Sequence, residues 1–280
     1  MRFHKLPTTY IDYVSLSVSN LEKSMTFYQE VLGFSVLEKN EKQVSLTANH
    51  EDPIIKLEEN SEALTLDNRA SGLFHFALLL PSREELADFL ANLIKLGIQI
   101  EGAADHFVSE AIYLSDLDGH GIEVYVDRAS ESWKWSNNHV KMGTERLDLN
   151  ELLKLNRKSD EFILSHEAVM GHIHLQVADL EASSAFYKTV FGLNSVSEIG
   201  SHARFISNNK YHHHIGLNTW NSLGKKVSSN ERLKMNYFHV NLTIENREKV
   251  VKNLKSSHYV FNKREDVYQT EDPSGNIILF

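Results

Sequence analysis

Fifteen histidines and no cysteine among 280 residues put the chemistry of this chain on imidazole and carboxylate. Without thiols there is no disulfide, no cysteine–zinc site and no thiolate nucleophile. The histidines are clustered: His172 and His174 lie two apart, and His212, His213 and His214 are consecutive. His172 begins one alternating segment (HIHLQV) and His239 another (HVNL), and such alternation reads as a strand. If these two first strands lie side by side, both imidazoles could reach one ion. Two histidines and one carboxylate on one face of an ion leave positions open for substrate and oxygen, a set that suits Fe(II) and Mn(II). On YHHHIGLN (211–218), alternation sends His213 to one face and His212 and His214 to the other. An imidazole beside a bound substrate is a natural acid or base, because its reference pKa of about 6.5 lets it move protons near neutral pH. The plainer alternative is that these histidines are satisfied core residues or coat an exposed edge strand.

The elements that must position these groups are written in an internal repeat. Residues 14–33 (VSLSVSNLEKSMTFYQEVLG) and 173–192 (IHLQVADLEASSAFYKTVFG) match at an offset of 159, with Leu16, Tyr28 and Gly33 recurring as Leu175, Tyr187 and Gly192. Phe74-His75 and Phe238-His239 each open a strand, and Asp116-Leu-Asp-Gly119 and Asp272-Pro-Ser-Gly275 each precede a final apolar strand. A duplicated chain buries its core by stacking its units. The pattern predicts four βαβββ units, 10–58, 73–126, 171–219 and 236–280, in an α+β fold of two domains with paired units. Helices are expected over 21–33, capped by Asn20, and over 83–97. The expected division is an N-terminal pair (1–126), a partly helical connection (127–168) with a helix at 145–158 capped by Thr144, and a C-terminal pair (169–280). Residues 221–235 read as an exposed loop or lid.

A net charge of −9 speaks against a nucleic-acid binder. No apolar run approaches the roughly 18 residues of a spanning helix, and the first residues carry no apolar signal core, so a cytoplasmic protein is expected, with a homo-oligomer compatible.

DLEASSAFYKTVFG, the paired units and DPSGN resemble the vicinal oxygen chelate superfamily of glyoxalase I, bleomycin-resistance proteins and extradiol dioxygenases. Together with GHIHLQVADL and YHHHIGLNTW they look most like the two-domain, catechol 2,3-dioxygenase-like type, over nearly the whole chain outside 127–168. The resemblance implies a metal-dependent extradiol dioxygenase that cleaves a catechol-like aromatic diol with O2, in aromatic compound degradation. It implies metal ligands in the C-terminal half at His172, seven residues before Asp179, and at His239. Its third ligand is a glutamate six residues after the proline of PSG, where this chain has Leu279. Fe(II), or Mn(II), is therefore expected to be weakly bound or absent, unless another carboxylate such as Glu271 substitutes. The matching N-terminal positions are Tyr13, His75 and Glu123, in the half that in this family does not bind iron. The acid/base histidine falls on His213, or on His214 with a one-residue slip, and a substrate-binding tyrosine near Tyr268. The alternatives are a non-catalytic small-molecule binding protein of the bleomycin-resistance kind and a glyoxalase-type lyase or isomerase.

Overall fold

The computed structural model describes residues 3–158 and 162–280; the part of the expected connection at 159–161 lies outside the described residues. Unit one holds β1 (Tyr10–Val18), α1 (Leu21–Glu30), β2 (Ser35–Lys39), β3 (Gln43–Thr47) and β4 (Ile55–Glu59). Unit two holds β5 (Gly72–Leu80), α2 (Arg83–Leu96), β6 (Gly102–Asp105), β7 (Ser109–Ser115) and β8 (Gly121–Asp127). The connection carries β9 (Trp135–Ser136), β10 (His139–Val140), β11 (Glu145–Arg146) and α3 (Leu149–Leu153). Unit three follows with β12 (Val169–Gln176), α4 (Leu180–Phe191), β13 (Asn194–Ile199), β14 (Ala203–Ser207) and β15 (Ile215–Asn218). Unit four is β16 (Met235–Asn241), α5 (Ile244–Ser256), β17 (Phe261–Arg264), β18 (Val267–Glu271) and β19 (Ile277–Leu279). Four unit helices begin at side-chain caps, Asn20, Ser82, Asp179 and Thr243, each accepting from a backbone N–H three residues on. The expected helix at 145–158 contracts to α3, capped by Asp148 instead of Thr144. Its first residues are taken by β11, which pairs with β6 through Glu145 and Arg146.

The sheets do not follow the halves of the chain. One sheet runs β17-β18-β19-β16-β1-β4-β3-β2 and joins unit four to unit one. The other runs β11-β6-β7-β8-β5-β12-β15-β14-β13 and joins unit two to unit three. The expected N-terminal and C-terminal pairs are thus replaced by crossed pairs, with β1 antiparallel to β16 and β5 antiparallel to β12. Units one and two, and units three and four, are tied instead by side chains. Tyr28 on α1 donates its hydroxyl to Asp116 in the turn before β8, at 3.0 Å, and Tyr187 on α4 donates to Asp272 before β19, also at 3.0 Å. Asn92 on α2 donates to the carbonyls of Glu30 and Val31 at the end of α1, and Asn253 on α5 to that of Val190 at the end of α4. The repeated tyrosine and DxxG motifs are these ties. Leu16, Tyr28, Phe76, Ile173, Phe186 and Phe238 belong to one buried cluster that runs through both sheets.

Candidate metal centre

Crossed pairing assembles a candidate ligand set that neither half of the chain contains. His172 stands on β12 opposite Ala77 of β5, and Ala77 is paired on its other side with Glu123 of β8. His75 precedes Ala77 by two residues and so projects from the same face. The small Ala77 between them leaves room above it for an imidazole on one side and a carboxylate on the other. Ligand atoms of His75, Glu123 and His172 all lie within 4.8 Å of one another, and all three residues are buried. Nε2 of His75 is 3.0 Å from Glu123 Oε2, and Nε2 of His172 is 3.2 Å from the same oxygen. Two ligands held at right angles about 2.1 Å from one ion are about 3.0 Å apart, so the spacing fits a shared metal. Nε2 of His75 has no hydrogen-bond partner of acceptable direction, and Nδ1 of His172 has none either. This group of two imidazoles and one carboxylate could hold a metal ion.

Burial holds the His172 imidazole down at about 4, against the opposing pull of Glu123. It is therefore neutral at physiological pH with a lone pair to give, as a ligand must be. Burial also pushes the Glu123 carboxyl up, but the neighbouring His172 and His75 outweigh it and hold Glu123 well below the usual carboxylate range. His174 and His213 are likewise pushed down, by burial first and then by the surrounding imidazoles.

The three residues open into a cavity of about 110 Å³ that His106, Tyr113, His174, Phe205, His213 and Trp220 also line. That is room for about four waters at roughly 30 Å³ each, or for one small ring. His213 lies against His172, with ring centroids 4.0 Å apart. His174 pairs across the strands with His75, and its Nε2 is buried without a partner. Gly216 makes space for that ring: a Cβ there would come within 2.8 Å of it. Tyr113, opposite Glu123 on β7, is 2.7 Å from His106 Nε2, while His106 Nδ1 donates to the Gly143 carbonyl at 2.7 Å.

His239 is elsewhere. It sits in the other sheet, 2.7 Å from Asp12 and stacked on Tyr13 with centroids 4.9 Å apart. His172 and His239 therefore do not meet over one ion. Strand register explains why the letters misled. The offset of 159 relates Ser15 to His174; opposite Ser15 stands Tyr237, and opposite His174 stands His75. Tyr237 thus occupies the place of His75, and His239 that of Ala77. Leu279, paired with His239, occupies the place of Glu123. The first sheet carries Tyr13, Tyr237 and Leu279 where the second carries His172, His75 and Glu123. The leucine where a glutamate was expected thus belongs to the other sheet, outside the His75, Glu123 and His172 group.

Tyr268 also lies in the other sheet, stacked on Phe280, and does not line the cavity; Tyr113 is the tyrosine beside Glu123. His212, His213 and His214 precede β15 in irregular backbone, and all three are buried, so they do not coat an edge strand. His214 turns away from the cavity, 3.0 Å from Ser207 and donating toward the Phe3 carbonyl. Glu271, the substitute carboxylate, is an exposed residue of β18 in the other sheet. Segment 221–235 is mostly irregular and is fastened through bridges at Val227 and Arg232.

Residues 10–124 match the family described as the Glyoxalase/Bleomycin resistance protein/Dioxygenase superfamily, and residues 171–200 the one described as Bleomycin resistance protein-like N-terminal. A catechol-2,3-dioxygenase of Bacillus subtilis (strain 168) is 41% identical over 278 residues, covering 97% of either chain. Among solved structures, one from Bacillus subtilis superposes with a TM-score of 0.66 at 12% identity, over 97% of this chain and 84% of that one. Glyoxalase I from Zea mays superposes with a TM-score of 0.59 at 15% identity, over 97% and 92%. Among the described residues no helix is long and apolar enough to cross a membrane.

Proposed function

The chain belongs to the glyoxalase/bleomycin resistance protein/dioxygenase superfamily, and on that premise we propose that it is a metal-dependent extradiol dioxygenase that opens the ring of a catechol-like aromatic diol with O2. The observation that carries the reading is the buried His75, Glu123 and His172 set, whose two imidazoles and one carboxylate suit Fe(II), with Mn(II) as the second choice. When bound, the ion would supply open positions beside these ligands and lower the cost of deprotonating a diol. The chain's own residues do the rest. Phe205 and Trp220 give the cavity an aromatic wall that would hold the substrate ring and keep water from it. Nε2 of His213, on a ring kept neutral by burial, would take the diol proton and later return it. The Tyr113 hydroxyl and His174 Nε2 would meet the substrate's polar edge.

The test is oxygen uptake with catechol by protein reconstituted with Fe(II) without air. Uptake should be metal-dependent, and Glu123→Gln should lose metal content and turnover together, because the carboxylate is the only anionic donor of the set. No uptake by metal-loaded wild type, with tight binding of catechol in the same cavity, would replace this reading with small-molecule sequestration.

A further inference from the structure

The His213 ring is held from behind by a chain of hydrogen bonds that leaves the site and ends at a carboxylate. His213 Nδ1 is 2.8 Å from His212 Nδ1, and His212 Nε2 is 2.7 Å from Asp127 Oδ1. His212 is fully buried, whereas the Asp127 side chain, at the end of β8, is 21% exposed. Tyr211 adds a long bond of 3.4 Å to the same Asp127 oxygen and is itself 2.7 Å from the Tyr125 hydroxyl. Asp127 belongs to unit two and the histidines to unit three, so the crossed sheet brings this chain together as it does the ligands.

We propose that Asp127 and His212 are positioning residues that fix the tautomer of His213, so that His213 presents an unprotonated Nε2 to the metal cavity. A carboxylate only accepts, so His212 must give it the Nε2 proton. With that single proton on His212, the state the proposal assigns to it, its Nδ1 is a lone pair and can only accept. The facing His213 Nδ1, 2.8 Å away, then donates, which uses the one N–H of a singly protonated His213 ring. Its Nε2, on a ring that lines the cavity, is left as a base or a further ligand. With the opposite tautomer, His213 would offer the cavity an N–H and could not receive a substrate proton. The fixed order Asp127 to His212 to His213 is thus required for the acid/base role given to His213 under the proposed function, on which the catalytic consequence rests. The tautomer itself does not depend on that reading.

The experiment uses full-length, metal-free protein labelled with 15N in histidine. Long-range proton–nitrogen correlation identifies the protonated nitrogen of each ring, and His212→Gln and His213→Gln assign the signals by their loss. In the wild type His212 should carry its proton on Nε2 and His213 on Nδ1. Asp127→Asn can donate to His212 Nε2, and should move both protons in at least part of the molecules, giving a His213 Nε2–H signal. In the metal-loaded protein the same variant should lower kcat with catechol by roughly 10–10²-fold, with metal content unchanged. A wild-type His213 protonated on Nε2, a His212 protonated on both nitrogens, or a His213 tautomer indifferent to Asp127→Asn would overturn the proposal. Absence of oxygen uptake by wild type, with the tautomers as stated, would sink the dioxygenase reading and leave this one standing.

Discussion

At the scale of single residues, the site is distinguished from its copy by three side chains. His172, His75 and Glu123 in one sheet stand where Tyr13, Tyr237 and Leu279 stand in the other. Three variants follow that separate the sheets. His239→Ala and Leu279→Glu should leave metal stoichiometry at the wild-type value, because both positions lie in the sheet that does not hold the set. His75→Ala should reduce metal affinity by at least 10–100-fold, since even the partners that merely support metal ligands have effects of roughly that size. Elemental analysis of the three proteins after equal reconstitution decides it, and a loss of metal in Leu279→Glu would contradict this assignment.

At the scale of elements, units one and two, and likewise units three and four, are fastened by a helix tyrosine reaching a buried aspartate. Asp116 receives the Tyr28 hydroxyl and His120, and Asp272 receives the Tyr187 hydroxyl and Asn276. Removing one donor leaves a buried carboxylate short of a partner, which costs about 1–3 kcal/mol. Tyr28→Phe and Tyr187→Phe should therefore destabilise by similar amounts in urea unfolding, and a neutral result at either would mean that the repeated motif does not tie the units. Gly171 on β12 is a further point of close approach. A Cβ there would lie 2.0 Å from the Tyr125 hydroxyl oxygen, next to His172. Gly171→Ala should cost about 1–3 kcal/mol, as overpacking does, and should weaken metal binding as well, by pushing β12 away from β8.

At the scale of the whole molecule, the notable quantity is the number of imidazoles held neutral. His4, His172, His174, His213 and His214 are all pushed below the usual histidine value, in each case first by burial, His172 to about 4 and His214 to about 3. The unfolded chain would protonate these rings near pH 6.5 while the folded protein would not. Below that value the unfolded state binds more protons, so stability falls with falling pH, by about 1.4 kcal/mol per pH unit for each ring. The effect is absent above about pH 7.5 and is complete only near the depressed folded values. Urea midpoints of the metal-free protein should drop steeply from pH 7 to pH 5, and His214→Asn, if folded, should flatten the slope. A midpoint unchanged between those values would mean that the unfolded chain gains no protons over the folded one.

Much of this was legible in the sequence. The 159-residue offset, the capping residues and the glycines after α2 and α4 determined four units and their helices, because those signals are local. His75, Glu123 and His172 were visible as residue types at repeat positions, and His213 in the run of three histidines. Which of them would meet was not. Four like units can join their first strands as one with two and three with four, or as one with four and two with three, and both closures bury the same alternating faces. The repeat is silent between them because it describes each unit alone. Strand register was equally hidden: Phe238-His239 copies the letters of Phe74-His75 but sits two residues further along its pairing, on the same face. Tertiary structure chose the crossed closure, and with it brought a glutamate of unit two to a histidine of unit three. Asp127 and His212 show the same division, since a bond between residues 85 positions apart is set by which strands are neighbours and by nothing in their local sequence.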